Sequence, residues 1–185
     1  MLEQYLINHC APTLASLKTA NLFNCTAENP TALQMAVSRW QALLAPKGVE
    51  LLLLRESGNR ALVYVYRPNR LARDLQQPGV AAFLAHCGYA GTDPTACLEV
   101  LRCKLAVSSD FPHEIGLFLG YPPVDVIGFI ENHGQNCLCS GVWKVYSYPE
   151  AAVGAFRKFS KCTRVYRRLF FGGQRNVEQL TVRSA

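Results

Sequence analysis

The sequence lacks an apolar run of the roughly 20 residues that a helix needs to cross a lipid bilayer. Its first residues also lack the basic start and the long apolar core of a secretory signal. Walker-type phosphate loops, Gly-x-Gly-x-x-Gly motifs, internal repeats and low-complexity tracts are absent as well. These absences argue against a membrane or secreted protein and against the common nucleotide-binding folds. We therefore expect a cytoplasmic globular protein with no membrane association.

Charge is also scarce, because 17% of the 185 residues are charged whereas 50% are hydrophobic. A chain of this length and composition buries enough surface to fold without disulfides or metals, so we expect a single domain over residues 1–185. In the cytoplasm the eight cysteines are expected to be mostly reduced thiols. The net charge of +6 permits an anionic ligand or an acidic protein partner but requires neither.

The β-rich segments are few and irregularly spaced. Two runs of branched and aromatic residues around Gly58 and Asn59 predict a β-hairpin at 49–67. Two further strands are predicted at 142–147 and 177–183. Because these strands do not alternate regularly with helices, the sequence predicts an α+β fold: a small antiparallel or mixed sheet of about four strands, packed with several helices.

The helix predictions depend mainly on capping residues and prolines. Pro12 is expected to interrupt the first helix. Asn29 is expected to begin another, and Ser109 with Asp110 to cap a third near position 112. Pro149 is expected to open a long final helix.

The most distinctive stretch is FPHEIGLFLGYPPVDVIGFI at 111–130, followed by WKVY at 143–146. The chain also contains HCAPTLA at 9–15 with Lys18, and Cys162 follows two aromatic positions of the last helix. These motifs resemble the signature of an uncharacterised bacterial family, the domain of unknown function 3793. The resemblance spans nearly the whole chain and implies a single domain. It carries over no catalytic or binding residue.

Several polar residues of this stretch form the leading candidate site. His113 and Glu114 lie at a predicted helix N-terminus, a place that binds anions and shifts histidine protonation. Asp125 follows one helix later, and Lys144 and Tyr146 share one face of a predicted strand. The leading hypothesis is a binding or regulatory protein that holds a small anionic ligand or a metal here. Helix capping and core packing are the alternative roles for the same residues.

A second group of candidate ligands lies in the segment His133-Gly-Gln-Asn-Cys137-Leu-Cys139, with Cys162 further along the chain. Thiolates and imidazoles at such spacing can bind zinc or an iron–sulfur centre. The chain has no paired Cys-x-x-Cys frame, however, and free cysteines are common core residues. These residues therefore have two interpretations: they bind a metal cofactor, or the cysteines are free thiols of the core.

An enzyme that uses Cys10 or His113 for thiol or acid/base chemistry is the first alternative function. A nucleophilic Cys10 needs a pKa lowered by a nearby cation or helix terminus. The neighbouring His9 diverges from Cys10 on a helix or a strand, so only the fold can bring His113 to it. No nucleophile motif of a known class surrounds Cys10, and enzymatic activity stays open.

The last predicted helix suggests a second alternative function, a protein-interaction adaptor. Arg157, Lys161, Arg164 and Arg168 follow at helical spacing and form one basic face. Such a face is either solvated or binds phosphate or an acidic protein. The segment 115–130 has the apolar spacing of a helix-turn-helix, but its second helix is acidic and apolar. Sequence-specific DNA binding is therefore disfavoured.

Overall fold

The computed structural model describes residues 2–26, 29–107 and 111–183. In chain order its elements are α1 (Leu2–Leu14), β1 (Ala20–Thr26), α2 (Pro30–Leu44), a 3₁₀ turn (Ala45–Lys47), β2 (Glu50–Ser57), β3 (Arg60–Tyr66), α3 (Pro68–Leu75), α4 (Val80–His86), α5 (Pro94–Val107), α6 (Ile115–Phe118), α7 (Pro123–Glu131), β4 (Cys139–Ser140), β5 (Lys144–Val145), α8 (Pro149–Phe171) and α9 (Val177–Leu180). Antiparallel strands with many helices confirm the predicted α+β class. In the described residues no helix is long and apolar enough to span a bilayer.

The chain divides into two compact units. Unit 1 comprises residues 1–70 and 161–185, and unit 2 comprises residues 71–160. Helix α8 begins in unit 2 and ends in unit 1. A single domain over the whole chain stays a prediction.

A three-stranded antiparallel sheet with the order β1-β3-β2 forms the centre of unit 1. The β2–β3 hairpin confirms the hairpin predicted at 49–67. Strand β3 is central, and its apolar run is buried from Ala61 to Tyr66. One face of the sheet packs with α1 and α2 around a core that includes Leu6, Phe23 and Val63. Burial of each such side chain contributes about 1.5–3 kcal/mol relative to exposure.

Arg67 joins the separate segments of unit 1 and is only 1% exposed. Its guanidinium donates from Nε to the Thr13 carbonyl at 2.7 Å, and from Nη2 to the carbonyls of Leu14 at 2.8 Å and Val182 at 2.7 Å. Thr13 and Leu14 end α1, where carbonyls have no partner within the helix. The planar guanidinium has five N–H donors, so one side chain satisfies the end of α1 and fixes the C-terminal segment beside it.

Two predictions about the ends of unit 1 were wrong. Pro12 does not interrupt the first helix, which continues to Leu14. Pro12 lies in the last turn, where its missing N–H removes a single helical hydrogen bond. The strand predicted at 177–183 is instead the short helix α9. Asn176 and Gln179 form a capping box, which starts a helix despite the β-branched residues that follow.

Strand β1 was not predicted, and the strand predicted at 142–147 is shorter than expected. The segment of β1 has only moderate β-propensity, and its pairing with β3 determines its conformation. In unit 2 the ladder stops after Val145, because the next two backbone N–H groups donate to the Asp125 carboxylate. The proposed cap at Ser109 and Asp110 lies outside the described residues, and α6 begins only at Ile115.

Replacement of Arg67 tests its role in joining these segments. Arg67→Met should lower the free energy of unfolding by roughly 3 kcal/mol or more, because three charge-assisted hydrogen bonds to carbonyls, two of them buried, are lost. Urea unfolding monitored by circular dichroism measures this difference. Arg39→Met on the exposed side of α2 is the matched control and should change stability by less than about 0.5 kcal/mol. Equal unfolding midpoints for the two variants would contradict this role.

Candidate functional site

Unit 2 contains a cavity of ≈ 230 Å³ formed by α6, α7 and the residues around β5. Most of its wall is apolar or aromatic, and the rest consists of three side chains that are polar or charged. The apolar and aromatic lining residues are Phe111, Ile115, Gly116, Leu119, Tyr121, Val126, Phe129 and Trp143. The polar ones are His113, Asp125 and Lys144.

The sequence between α6 and α7 allows the two helices to approach closely. Gly120 has a φ of 72°, which permits a sharp turn after α6. A Cβ on Gly116 would lie only 2.8 Å from Val126 Cγ2, so a larger residue there would push α7 away. Tyr121 then stacks on Trp143 with ring centroids 4.9 Å apart. Aromatic contact at this distance fixes one wall of the cavity.

Asp125 organises the cavity from the first turn of α7 and is 2% exposed. Its Oδ2 accepts a hydrogen bond from Trp143 Nε1 at 2.8 Å. Its Oδ1 accepts from the backbone N–H groups of Tyr146 at 2.8 Å and Ser147 at 3.0 Å. Burial of a carboxylate is costly unless donors replace its hydration. These donors provide that replacement, and they hold β5 and the indole ring against α7.

Lys144 and His113 flank the ring of Phe129. The Lys144 Nζ donates to the Gly134 carbonyl at 2.6 Å and lies 5.9 Å from the ring centroid of Phe129. An ammonium group has three N–H donors, so one carbonyl does not exhaust its capacity. His113 is exposed and packs edge-on against the same ring at 5.0 Å. Two nitrogen-bearing side chains therefore line the cavity together with the Asp125 carboxylate.

Glu114 and Tyr146, which were grouped with these residues in the sequence, do not line the cavity. The Glu114 carboxylate is buried and forms an ion pair with Lys104 at 2.5 Å. Tyr89 donates its hydroxyl to the same oxygen at 3.2 Å. This network ties α5 to the start of α6. Glu114 thus has protein partners in the structure, and a ligand contact at Glu114 stays a prediction.

The loop between α7 and β4 has an unusual backbone conformation. His133 and Asn136 have φ values of 50° and 58°, in the left-handed region that side chains other than glycine adopt at a cost. Lys144 binds one carbonyl of this loop, and the Tyr146 hydroxyl donates to the Gln135 carbonyl at 2.9 Å. The residues that follow the loop thus fix its shape beside the cavity.

A family model described as "Protein of unknown function (DUF3793)" matches residues 6–181. The chain belongs to this family. The match covers nearly the whole chain and confirms the resemblance found in the motifs at 9–15 and 111–146. No curated protein and no solved structure matches the chain.

The metal-ligand candidates of this family member do not form a recognisable centre. The loop between α7 and β4 contains His133 and Cys137. Strand β4 begins with Cys139, and Cys162 lies on α8. Over the described ranges, no group of three or more His, Cys, Asp or Glu side chains is placed to hold a metal ion. Burial raises the pKa of Cys162 to about 11, so its thiol stays protonated near neutral pH. The geometry lends no support to a metal site.

Cys10 lies on α1 in unit 1 with no solvent exposure. Burial raises the pKa of its thiol well above the ordinary value, and the nearby Lys18 ammonium only partly offsets this effect. The thiolate is the nucleophilic form of cysteine. A buried thiol with a raised pKa is therefore a poor nucleophile, and the environment of Cys10 does not support thiol catalysis.

The predicted basic face of the last helix is exposed at all four positions, Arg157, Lys161, Arg164 and Arg168. On the same helix, Tyr166, Leu169 and Phe170 pack against the core of unit 1. This division into a solvated and a packed side is what an amphipathic surface helix requires. An acidic partner for the basic face stays a prediction.

Sequence reasoning missed the aromatic walls and the organising role of Asp125. The aromatic residues at 111, 121, 129 and 143 were a signal, but no periodicity relates them, because they come from four different elements and loops. Asp125 was grouped with the candidate ligand-binding residues. Its donors follow about 20 residues later in the chain, and only the fold reveals that they reach it.

The buried Lys18 predicts a specific pH dependence of stability. Burial lowers the pKa of Lys18 to about 7, from the usual 10.5. Between these values the unfolded chain binds more protons than the folded one, so this group makes stability rise with pH. Relative to Lys18→Met, wild-type stability should rise on the order of 1 kcal/mol per pH unit between about pH 7 and 8.5.

Urea unfolding of both proteins at several pH values in this window measures the slope. The comparison with Lys18→Met cancels the contribution of the cysteine thiols, which begin to ionise in the unfolded chain within this range. An exposed lysine, Lys158, provides the matched Lys158→Met control. Parallel stability curves for wild type and Lys18→Met would show that Lys18 titrates normally in the folded protein.

Proposed function

We propose that this protein binds a small organic anion, a carboxylate with an apolar or aromatic body, in the cavity of unit 2. The observation that carries the proposal is the ammonium group of Lys144 on a cavity whose walls are otherwise largely aromatic and aliphatic. Binding sites typically combine an apolar wall with a few polar groups that fix orientation. The volume of ≈ 230 Å³ lies below the usual range for drug-sized ligands, which favours a small molecule.

The chemistry of the lining residues supports an anion over a cation or a neutral ligand. Lys144 has N–H donors beyond the one that Gly134 accepts, and the imidazole of His113 lies across the same phenyl ring. A carboxylate accepts charge-assisted hydrogen bonds from such donors. Phe129, Trp143 and Tyr121 offer flat surfaces to the rest of the ligand. The Asp125 carboxylate is not free to bind a cation, since its oxygens already accept hydrogen bonds from Trp143, Tyr146 and Ser147.

A binding or regulatory role is favoured over catalysis. Among the described residues that line the cavity, Asp125 is held by protein donors, and no cysteine or serine is present to act as nucleophile. Cys10 belongs to unit 1 and is a buried thiol. All eight cysteines are free thiols, which supports a reducing compartment such as the cytoplasm. The role therefore suits a cytoplasmic protein that senses or carries a small carboxylate.

Fluorescence of Trp143 provides a direct test, since the chain has only two tryptophans. In a Trp40→Phe background, Trp143 is the sole indole. Benzoate, phenylacetate and hexanoate serve as anionic probes, and benzamide and benzylamine as neutral and cationic ones. At least one anion should change the fluorescence saturably. Lys144→Met should weaken that binding by roughly tenfold or more, because a charge-assisted hydrogen bond is lost.

The matched control is Lys158→Met, which removes an exposed lysine of unit 2 outside the cavity. It should leave the affinity unchanged, and circular dichroism should show that all variants remain folded. Equal responses to benzamide or benzylamine would contradict anion recognition. A saturable response that survives Lys144→Met, or the absence of a saturable response to every anion, would overturn the proposal.

A further inference from the structure

Unit 1 contains an open groove of ≈ 500 Å³ at the end of its sheet where the β2–β3 hairpin turns. Besides Tyr5, Cys25 and Ala61, six lining residues come from the ends of the three strands. They are Asn24 and Thr26 of β1, Arg55 and Ser57 of β2, and Arg60 and Leu62 of β3. All of them except Leu62 are polar and exposed. The groove thus differs from the apolar cavity of unit 2 in both location and chemistry.

The strand register places these side chains on one face of the sheet. Leu62 pairs with Asn24 on one side and Arg55 on the other. Arg60 pairs in the same way with Thr26 and Ser57. Residues directly opposite each other in antiparallel strands project from the same face. The two guanidiniums, two hydroxyls and one amide therefore form a continuous polar surface.

A β-bulge is the reason that Arg55 belongs to this surface. The register passes from Leu53↔Val63 directly to Arg55↔Leu62, which leaves Leu54 without a pairing partner. In a regular ladder Arg55 would lie opposite Ala61 and point towards the core, since side chains alternate between faces. Bulges re-aim side chains and are frequent beside functional sites. Here the bulge brings the second arginine to the groove.

The charges of Arg55 and Arg60 are not neutralised within the described part of the chain. Neither guanidinium has a carboxylate of a described residue within ion-pair distance. Glu56, which lies between them in sequence, pairs with Ala61 on the opposite face and accepts a hydrogen bond from Gln34 at 3.2 Å. Two positive charges thus remain at one concave surface.

We propose that this groove binds a small molecule bearing a phosphate or diphosphate group. The planar guanidinium fork matches phosphate oxygens in a bidentate fashion, and two arginines suit a dianion better than a monocarboxylate. Thr26 and Ser57 add hydroxyl donors to the phosphate. Tyr5 and Leu62 offer apolar surface to the remainder of the ligand. The site is separate from the carboxylate cavity of unit 2 and does not depend on it.

Calorimetric titration of the full chain with pyrophosphate, phenyl phosphate and phenol tests this site. The two phosphate compounds should bind, more weakly as salt concentration rises, and phenol should not. Arg55→Gln and Arg60→Gln should each weaken binding by about tenfold or more, because a charge-assisted interaction is lost. Arg55→Lys should give an intermediate affinity, since it keeps the charge and loses the bidentate fork.

Arg39→Gln on α2 is the matched control in unit 1, and Lys158→Met, an exposed lysine outside the cavity, is the control in unit 2; both should bind pyrophosphate as wild type does. Arg55 and Arg60 are exposed, so their replacement should leave the fold intact, which circular dichroism verifies. Failure of both phosphate compounds to bind at roughly 10 mM would overturn the proposal. Equal affinity in the double Gln variant, or an equal loss in Arg39→Gln, would also overturn it.

Vesicles that contain phosphatidic acid distinguish a free phosphate ligand from a lipid headgroup. The proposal predicts that pyrophosphate binds in solution and that the vesicles do not compete for the site. Binding to the vesicles without binding to either soluble phosphate compound would contradict a small-molecule site.

Discussion

The carboxylate of Asp125 is almost fully buried, and the hydrogen bonds that replace its hydration shape the cavity of unit 2. The Trp143 indole and the backbone N–H groups of Tyr146 and Ser147 replace its lost hydration. Three N–H groups of residues 143–147 must all reach the two oxygens of Asp125, and this requirement restricts the backbone conformation of that segment. The same constraint sets one aromatic wall and presents Lys144 beside Phe129, so the binding proposal depends on this interaction.

In unit 1 the buried side chain is positively charged, and hydrogen bonds within the protein again replace its hydration. Arg67 is buried and donates to carbonyls at the end of α1 and in the C-terminal segment. Its position after β3 ties the central strand to both chain regions. Lys18 is also buried and donates to the Ala20 carbonyl, and burial lowers its pKa to about 7. Backbone carbonyls thus accept hydrogen bonds from both buried basic side chains of unit 1.

Local patterns predicted the α+β class, the β2–β3 hairpin and the long final helix, because alternation and capping residues act over a few positions. They failed where distant partners decide the outcome. Strand β1 forms by pairing with β3, and α1 runs through Pro12 to carbonyls that accept hydrogen bonds from the distant Arg67. The pattern also gave no sign of the ion pair between Glu114 and Lys104, which lies on another helix. The β-bulge that turns Arg55 to the other face of the sheet cannot be predicted from the spacing of hydrophobic residues.

The most direct test of the central claim is the effect of Asp125→Asn on both the cavity and its ligand. The substitution keeps the size of the side chain but removes the charge and replaces one acceptor by a donor. We predict that the Trp143 indole N–H resonance moves upfield in the NMR spectrum and that the anionic probes lose most of their affinity, although Lys144 is intact. An unchanged indole resonance together with unchanged affinity would contradict the account.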